Sequence, residues 1–259
     1  MEDKMTAHPV LVTGAASGIG AALAARLVRD GRPVIGLDRA DAVPAGVEPL
    51  RCDLADPGSI DAAIQALPPR LGGIAHVAGV PGTAPAATVL AVNWLAPRKL
   101  TAALAPSLRD SAIVSIASLA GHHPDYTDQI DELAELDDDA LQSWAVQEGL
   151  TGPSAYDLSK KLLIRYGKVL AARLLPQGVR SNTISPGPVE TPILSDFQAS
   201  MNGSVERSEN LVGRHARDEE IAAPAAFLLS PDASWINGVD LIADGGLIAA
   251  RTAPARSQT

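Results

Sequence analysis

The sequence Pro9-Val-Leu-Val-Thr13-Gly14-Ala-Ala-Ser17-Gly18-Ile19-Gly20 joins an apolar run to a glycine-rich turn. The run predicts a short buried strand, and residues 21–30 predict a helix directly after the turn. Glycine permits a tight turn and lets a phosphate approach the backbone where a Cβ would obstruct it. The free N–H groups and positive end of a helix favour an anion. Because the glycines stand between strand and helix, the segment predicts a dinucleotide-binding loop, with cofactor contacts from Gly14, Ser17, Gly18, Ile19 and Gly20.

Residues 33–38 predict a second strand that ends at Asp38. A carboxylate there can accept hydrogen bonds from both hydroxyls of an adenosine ribose and would repel a 2′-phosphate, so it favours NAD over NADP. Arg39 could instead pair with a 2′-phosphate, which leaves NADP as the less favoured cofactor. A capping role is the other interpretation of Asp38. Asp53 and Leu54, after a third strand, are candidate adenine contacts or part of a surface turn.

The alternation of strands and helices continues along the chain and predicts one α/β domain over residues 1–259, with a doubly wound parallel sheet. Further strands are predicted at 73–78, 111–117, 178–184 and 239–243, and further helices at 57–67, 86–108, from 154 onward and at 219–229. Residues 1–7 and 250–259 are predicted to be flexible tails, 122–152 a helical insertion and 191–216 a substrate lid.

Composition narrows the class of protein. Apolar residues make up 46% of the chain and aromatic residues only 3%, as expected for a core of small aliphatic side chains. The net charge of −9 argues against nucleic acid as a partner, because phosphates require a basic surface. The single Cys52 excludes an intrachain disulfide. Since residues 1–9 lack the apolar run of a signal peptide and no stretch is apolar enough to span a membrane, a cytoplasmic protein is predicted.

A second segment, Ser154-Ala-Tyr156-Asp-Leu-Ser-Lys160, begins the predicted helix that bears the chemistry. Residues four apart share a helix face, so the Tyr156 hydroxyl and the Lys160 ammonium can point into one cleft. A free phenol has a pKa near ~10, and a cation at ~4 Å could lower it by roughly three units. Such a tyrosine would suit general acid–base catalysis. Most pairs with this spacing are ordinary helix surface, so the pair on its own favours that interpretation.

Together these features resemble the short-chain dehydrogenase/reductase family over nearly the whole chain. Residues 13–20 match its cofactor motif, and Tyr156-x-x-x-Lys160 matches its catalytic motif. Residues 182–192 match the segment that brackets the nicotinamide, and Asp244-Gly245-Gly246 matches the end of the last strand. The resemblance implies that the predicted fold holds a nicotinamide cofactor, with NAD preferred.

The resemblance also implies roles for individual side chains. Asn93 falls where the family has a helix asparagine that holds a water of the proton relay, and Ser118 where a serine orients the substrate oxygen. Tyr156 would be the general acid–base, and Lys160 would lower its pKa and bind the nicotinamide ribose. The remaining implied cofactor contacts are Gly79, Pro186, Gly187, Val189 and Thr191.

Two departures from the family pattern stand out. His76-Val-Ala-Gly79 replaces the usual Asn-Asn-Ala-Gly, so other residues must stabilise this turn, and His76 is interpreted as a strand residue rather than a catalyst. The interval between Ser118 and Tyr156 is also unusually long. It contains His122-His123 and an acidic, helix-prone stretch, which we interpret as a helix with a solvated acidic face because its spacing suits no metal site.

A helical insertion at this point resembles the bacterial 3α-hydroxysteroid dehydrogenase/carbonyl reductases and, less closely, the coniferyl-alcohol dehydrogenases. The implied reaction is hydride transfer between NAD(H) and an apolar alcohol, ketone or aldehyde. An NADPH-dependent carbonyl reductase and an NAD-binding redox sensor are the alternatives. The tyrosine helix is a tetramer contact in most members, so an insertion beside it makes a homodimer an alternative to a homotetramer. Apolar lid residues that fit such a substrate are Ile193, Leu194, Phe197 and Met201.

Overall fold

The computed structural model describes residues 8–191 and 210–253. The strands are β1 (Val10–Thr13), β2 (Val34–Asp38), β3 (Glu48–Arg51), β4 (Gly73–His76), β5 (Ala112–Ile116), β6 (Arg180–Pro186), β7 (Val189–Glu190), β8 (Ala216–Arg217) and β9 (Asp240–Ala243). Seven of them form one parallel sheet in the order β3-β2-β1-β4-β5-β6-β9. The predicted doubly wound parallel sheet is therefore confirmed.

Helices cover both faces of this sheet. They are α1 (Gly18–Arg29), α2 (Pro57–Ala66), α3 (Ala86–Leu90), α4 (Ala96–Leu104), α5 (Ile130–Glu135), α6 (Asp138–Gln147), α7 (Gly152–Arg173), α8 (Asp218–Leu228) and α9 (Leu247–Thr252). Within residues 8–191 and 210–253, none of the helices is both long enough and apolar enough to cross a membrane.

Alternate residues of the central strands enter opposite layers of the core. Val10 and Val12 of β1 share a buried cluster with Leu23 of α1 and side chains of α8, whereas Leu11 shares another with Leu100 of α4. Helices cover both faces of the parallel sheet, so β1, β2, β4 and β5 are largely apolar, whereas β6 also buries polar residues. Because the strands are parallel, their carboxyl ends lie at the same edge of the sheet, where the turns carry the predicted site residues.

The predicted helix over 86–108 is interrupted. A π-helical turn, Ala91–Leu95, separates α3 from α4, and the Ala96 N–H bonds the Ala91 carbonyl. Pro97 has no N–H, so it cannot supply the usual α-helical donor to the carbonyl of Asn93, four residues earlier. A widened turn relieves that mismatch and places Asn93 at a break in the helix.

Three boundaries differ from the sequence prediction. Helix α1 begins at Gly18, so two of the loop glycines lie in its first turn. Strands β7 and β8 form a small parallel sheet that no apolar pattern marks, because each has only two residues. Helix α9 continues to Thr252, three residues into the predicted tail. Residues 192–209 lie outside the described part of the chain, and with them Ile193, Leu194, Phe197 and Met201 of the predicted lid.

The insertion consists of α5 and α6 rather than one long helix. Leu133, Leu141 and Ala145 bury their side chains in a third apolar cluster, shared with α3 and α7. The acidic face of the insertion is solvated, as predicted: the side chains of Asp131, Glu135 and Asp138 are 68%, 73% and 52% exposed. Three acidic residues pair with arginines of α4 and α7: Asp138 with Arg98 at 2.5 Å, Glu135 with Arg173 at 3.4 Å, and Asp131 with Arg165.

The two edges of the main sheet differ in chemistry. Strand β3, at one edge, exposes Glu48, Pro49 and Arg51. Strand β9, at the other edge, exposes the apolar Leu241 and Ile242, and Trp235 nearby in sequence is 98% exposed. The first edge is thus polar and interrupted by proline, and the second is apolar.

Candidate active site

The turn after β1 is shaped by close contacts between backbone atoms. Gly14 and Gly18 adopt φ values of +71° and +51°, which disfavour residues with a Cβ. A Cβ on Gly20 would lie 2.0 Å from the Gly14 carbonyl oxygen, so α1 packs directly on the turn. Ser17 is the N-cap residue of α1, but among the described residues its side chain makes no capping hydrogen bond to the first-turn N–H groups. This bare, donor-lined turn fits a cofactor pyrophosphate. The side chain of Ile19 packs on the core.

Asp38 ends β2 and faces this turn. Its Oδ2 accepts from the Ala16 N–H at 3.0 Å, and its Oδ1 accepts from the Ala40 N–H at 3.0 Å. The carboxylate therefore holds the glycine turn as well as its own loop. Each oxygen retains a lone pair, so the carboxylate can still accept from ribose hydroxyls. Arg39 is exposed.

Asp53 and Leu54 follow β3 and have local partners. The Asp53 Oδ1 accepts from the Ala55 N–H at 2.9 Å, and its own N–H donates to Ser59 Oγ at 3.0 Å. Leu54 packs against the second core cluster. The structure thus supports the interpretation of this pair as a turn, although both lie at the same edge as Asp38.

The turn after β4 shows what replaces the missing asparagine. Thr13 Oγ1 accepts from the N–H groups of Val77 and Ala78 at 3.0 and 3.1 Å, which fixes the turn to the end of β1. The buried His76 lies in β4, as predicted, with Nε2 2.8 Å from Thr101 Oγ1. Burial lowers the pKa of His76 to about 4, so it is neutral near pH 7.

Asn93 is fully buried and holds the next part of that turn. Its Oδ1 accepts from the Val80 N–H at 2.8 Å, and its Nδ2 donates to the Val80 carbonyl at 3.0 Å. Both ends of the side-chain amide are therefore engaged, which assigns the side chain a structural role. Gly79 lies beside it, and a Cβ there would come within 3.5 Å of both Asn93 Oδ1 and Lys160 Nζ.

Helix α7 begins with a capping box and close packing. The Thr151 and Ser154 side chains each accept from the other residue's N–H, at 3.4 and 2.9 Å. A Cβ on Gly152 would lie 2.1 Å from the Gly82 carbonyl oxygen, so the first turn of α7 sits directly on the loop after β4. These contacts fix the direction from which Tyr156 enters the site.

Tyr156, Ser118 and Lys160 meet at the end of β5. Burial raises the pKa of Tyr156, a side-chain hydrogen bond with Ser118 lowers it, and the charge of Asp157 raises it further. Ser118 Oγ also accepts from the Ala120 N–H at 3.2 Å, so its own hydroxyl proton remains to be donated. The three predicted side chains are therefore adjacent, with Asn93 joined to them through Gly79.

Lys160 lies beside the Tyr156 ring and is hydrogen-bonded to the backbone. Lys160 Nζ lies 5.5 Å from the centre of the Tyr156 ring and donates to the Ile116 carbonyl at 3.0 Å. Burial lowers the pKa of Lys160 to about 8. Burial raises the pKa of Tyr156 and its hydrogen bond with Ser118 lowers it. That Lys160 lowers this pKa as well stays a prediction.

The residues predicted to contact the nicotinamide lie in and after the turn that follows β6. Pro186 ends β6, and the Gly187 N–H donates to the Ala243 carbonyl at 3.1 Å. Val189 is buried in β7, and Thr191 is the last described residue before the 192–209 gap. A pocket of about 200 Å³ lies beside this turn, between Pro188, Ala216 and Asp244. Within the described ranges, no three His, Cys, Asp or Glu side chains could hold a metal ion.

Two family models match this chain, one described as short chain dehydrogenase over residues 8–128 and one as Enoyl-(Acyl carrier protein) reductase over residues 140–248. The chain is 34% identical to a coniferyl-alcohol dehydrogenase of Pseudomonas sp., covering 94% of this chain and 98% of the relative. It is 32% identical to the 3-alpha-hydroxysteroid dehydrogenase/carbonyl reductase of Comamonas testosteroni, covering 92% and 95%.

A solved structure of the 3-alpha-hydroxysteroid dehydrogenase from Pseudomonas sp. B-0831 complexed with NADH superposes with a TM-score of 0.85 at 33% identity, over 97% of this chain and 99% of that one. Fold, site and relatives together define a nicotinamide-dependent oxidoreductase that acts on alcohol donors. The chain belongs to the short-chain dehydrogenase/reductase family. The resemblance to the two subgroups is likewise confirmed.

Sequence reasoning missed several groups that shape this site. Thr13 was assigned to the cofactor motif, but its hydroxyl holds the β4 turn. The Ile116 carbonyl, which binds Lys160, carries no sequence signal because it is a backbone atom. Asp157 adjoins Tyr156 in sequence, and this adjacency was the one available sign that its charge reaches the phenol.

Proposed function

We propose that this protein transfers hydride between NAD(H) and an apolar alcohol or its carbonyl product, with Tyr156 as the general acid–base. The observation that carries the proposal is the buried Tyr156 hydroxyl, hydrogen-bonded to Ser118 and backed by the Lys160 ammonium at the carboxyl edge of the sheet. A binding protein that turned nothing over would not need these polar groups buried together, because burying them costs free energy.

Each side chain has a distinct task. Tyr156 takes the proton of the alcohol during oxidation and returns it during reduction, while Ser118 donates a hydrogen bond to the same substrate oxygen. When bound, the nicotinamide accepts or gives the hydride. The raised pKa of Tyr156 keeps the phenol protonated near neutral pH, so reduction proceeds there and oxidation accelerates as the pH rises. Lys160, with a pKa of about 8, remains cationic at neutral pH.

Asn93 supports the proton relay through its backbone. Its side-chain amide is occupied by Val80. Its carbonyl loses the usual helical donor because Pro97 has no N–H. We therefore assign the relay water to the Asn93 carbonyl rather than to its amide.

Cofactor preference rests on Asp38, and cofactor orientation on the turn after β6. The Asp38 carboxylate at the glycine turn favours a ribose with two free hydroxyls, hence NAD. The proposed contacts of the nicotinamide carboxamide are Val189 and Thr191. Arg39 is exposed beside Asp38, so an NADPH-dependent carbonyl reductase is the second candidate.

The substrate class follows from the relatives. One is named for coniferyl alcohol and two for 3α-hydroxysteroids, and all three share more than nine-tenths of their length with this chain. We propose an aryl-allylic alcohol or a 3α-hydroxysteroid as the substrate of this protein.

The test is the reduction of NAD at 340 nm with coniferyl alcohol, a 3α-hydroxysteroid and alicyclic secondary alcohols, with NADP in parallel. Turnover with NAD on one of these alcohols is expected, and Tyr156→Phe should lower it by about 10²–10⁴. Faster turnover with NADP would favour the carbonyl reductase. Tight NADH binding without turnover, or full activity of Tyr156→Phe, would overturn the proposal in favour of a sensor.

We also propose a homodimer rather than a homotetramer. The insertion buries Leu133, Leu141 and Ala145 against α3 and α7, so it covers a face of the catalytic helix. Leu241 and Ile242 of the β9 edge remain exposed. Sedimentation equilibrium should give twice the mass of the chain, and a fourfold mass would contradict this assignment.

A further inference from the structure

His122 and His123 have no part in the proposed chemistry, yet each makes one specific contact. His122 Nε2 lies 2.8 Å from Oδ2 of Asp240 on β9. His123 Nδ1 lies 2.9 Å from Oδ2 of Asp157 on α7. Two adjacent residues therefore join one point of the chain to the edge strand on one side and to the catalytic helix on the other.

Asp240 is a firmly held anchor. Its side chain is only 7% exposed. Its Oδ1 accepts from Thr183 Oγ1 at 2.6 Å, and its Oδ2 accepts from Ser185 Oγ at 2.9 Å. A carboxylate buried among several donors has little freedom to move, so His122 is tied to β6 as well as to β9.

Asp157 is the second anchor, and it follows Tyr156 directly in sequence. Burial raises the pKa of Asp157, whereas the hydrogen bond with His123 and the charge of Lys161 lower it and Asp125 raises it. Lys161 Nζ also donates to the His123 carbonyl. Both the side chain and the backbone of His123 are thus attached to α7.

The short segment that ends at these histidines carries the active-site serine. Ser118 caps a 3₁₀ turn, Leu119–His122, by accepting from the Ala120 N–H. Gly121 packs so closely on α7 that a Cβ there would lie 2.9 Å from the Lys160 carbonyl carbon. Because Ser118 and His122 lie at the two ends of this single turn, a displacement of His122 moves the serine.

We propose that His122 and His123 are positioning residues that fix Ser118 against the catalytic helix, so that the Ser118 and Tyr156 hydroxyls meet the same substrate oxygen. They form a clasp between β9 and α7 at the entrance to the insertion. The expected effect of the clasp on kcat rests on the proposed function. Its hydrogen bonds are present whether or not the protein turns over a substrate.

The two histidines use different ring nitrogens, which allows a matched experiment. A glutamine amide reaches as far as Nε2 and an asparagine amide as far as Nδ1. His122→Gln and His123→Asn therefore keep a hydrogen-bond donor at the position of the original ring nitrogen. His122→Asn and His123→Gln carry the same amide group, but at a different distance from the backbone. The side chains are 38% and 55% exposed, so these variants leave the core intact.

We expect His122→Asn to lower kcat for NAD reduction with coniferyl alcohol by about tenfold, because a small misplacement of a reacting group is costly. His122→Gln should stay within about twofold of the parent, and the His123 pair should show the opposite amide preference. The Kd for NADH, measured by fluorescence, should not change in any of the four. Equal kcat in matched and mismatched variants, or a loss confined to NADH affinity, would overturn the clasp.

Amide hydrogen exchange provides a readout that needs no substrate. Exchange at residues 118–122 should be faster in His122→Asn than in His122→Gln, and identical exchange would refute the clasp even if the parent oxidised none of the alcohols. An active parent whose Tyr156→Phe variant is equally active refutes the proposed function instead. The two failures are therefore distinguishable.

Discussion

The turn after β1 and the turn after β5 lie at the same edge of one sheet, yet they are built in opposite ways. The first depends on missing side chains: Gly20 packs on Gly14 with no space for a methyl group. The second depends on side chains that are present, with Ser118 bonded to Tyr156 and His122 to Asp240. The first turn should therefore be sensitive to added atoms, and the second to the loss of a particular donor or charge.

The largest effect is expected at the second turn. Ser118→Ala removes the proposed hydrogen-bond donor to the substrate oxygen and should lower kcat by about 10²–10³, as the loss of a comparable donor does in other enzymes. The Kd for NADH should remain unchanged. Ser230→Ala, which removes a hydroxyl bonded to the Phe227 carbonyl away from the site, is the matched control. A weakened Kd with normal kcat would place Ser118 in cofactor binding instead.

A smaller loss is expected from an added methyl group at the first turn. Gly20→Ala should weaken NADH binding by about ten- to a hundredfold, because relieving a contact of 2.0 Å with Gly14 requires a shift that costs about 1–3 kcal/mol. The comparison is with Gly58→Ala, in the first turn of α2, where the nearest atom is 3.3 Å away. Similar NADH affinities for the two variants would show that the close packing of the first turn is unimportant.

Asp38 tests whether the first turn also selects its ligand through a charge. Asp38→Ala should raise the ratio of kcat/KM for NADP to that for NAD at least about tenfold, because the carboxylate that repels a 2′-phosphate is gone. Asp41→Ala, a nearby exposed carboxylate that pairs with Arg51 at 3.6 Å, should leave the ratio unchanged. If both variants shift it equally, general surface charge rather than Asp38 sets the preference.

The smallest expected effect is a shift in pH dependence at the second turn. The charge of Asp157 raises the pKa of Tyr156, so Asp157→Asn should lower that pKa. Oxidation needs the phenolate, so its kcat/KM profile should move to lower pH, while the amide oxygen that replaces the carboxylate still accepts from His123. Asp139→Asn on α6 should not move the profile. A shift to higher pH would contradict the proposed role of Tyr156 as the base.

The sequence predicted those parts of the site whose geometry follows from short spacings along the chain. The glycine spacing, Asp38 at a strand end and the four-residue interval of Tyr156 and Lys160 each define a geometry by themselves. The Thr13 bonds to the β4 turn and the Lys160 bond to Ile116 join residues far apart, so no spacing reports them. The sequence predicted one helix over 86–108, because its break at Asn93 depends on how the folded backbone accommodates the N–H that Pro97 lacks. Burial, which raises the pKa of Tyr156, exists only in the folded chain.

The two sheet edges limit how copies of this chain can combine. Strand β3 carries a proline and charged side chains, which prevent another strand from pairing there. Strand β9 contains no proline, and the side chain of its charged residue, Asp240, is only 7% exposed. Such a sheet can be extended at one edge only. Two copies can pair through their β9 strands about a two-fold axis, and the pair then has no unprotected edge strand left. Lateral strand pairing in this protein would therefore terminate at a closed pair and could not propagate into a fibre.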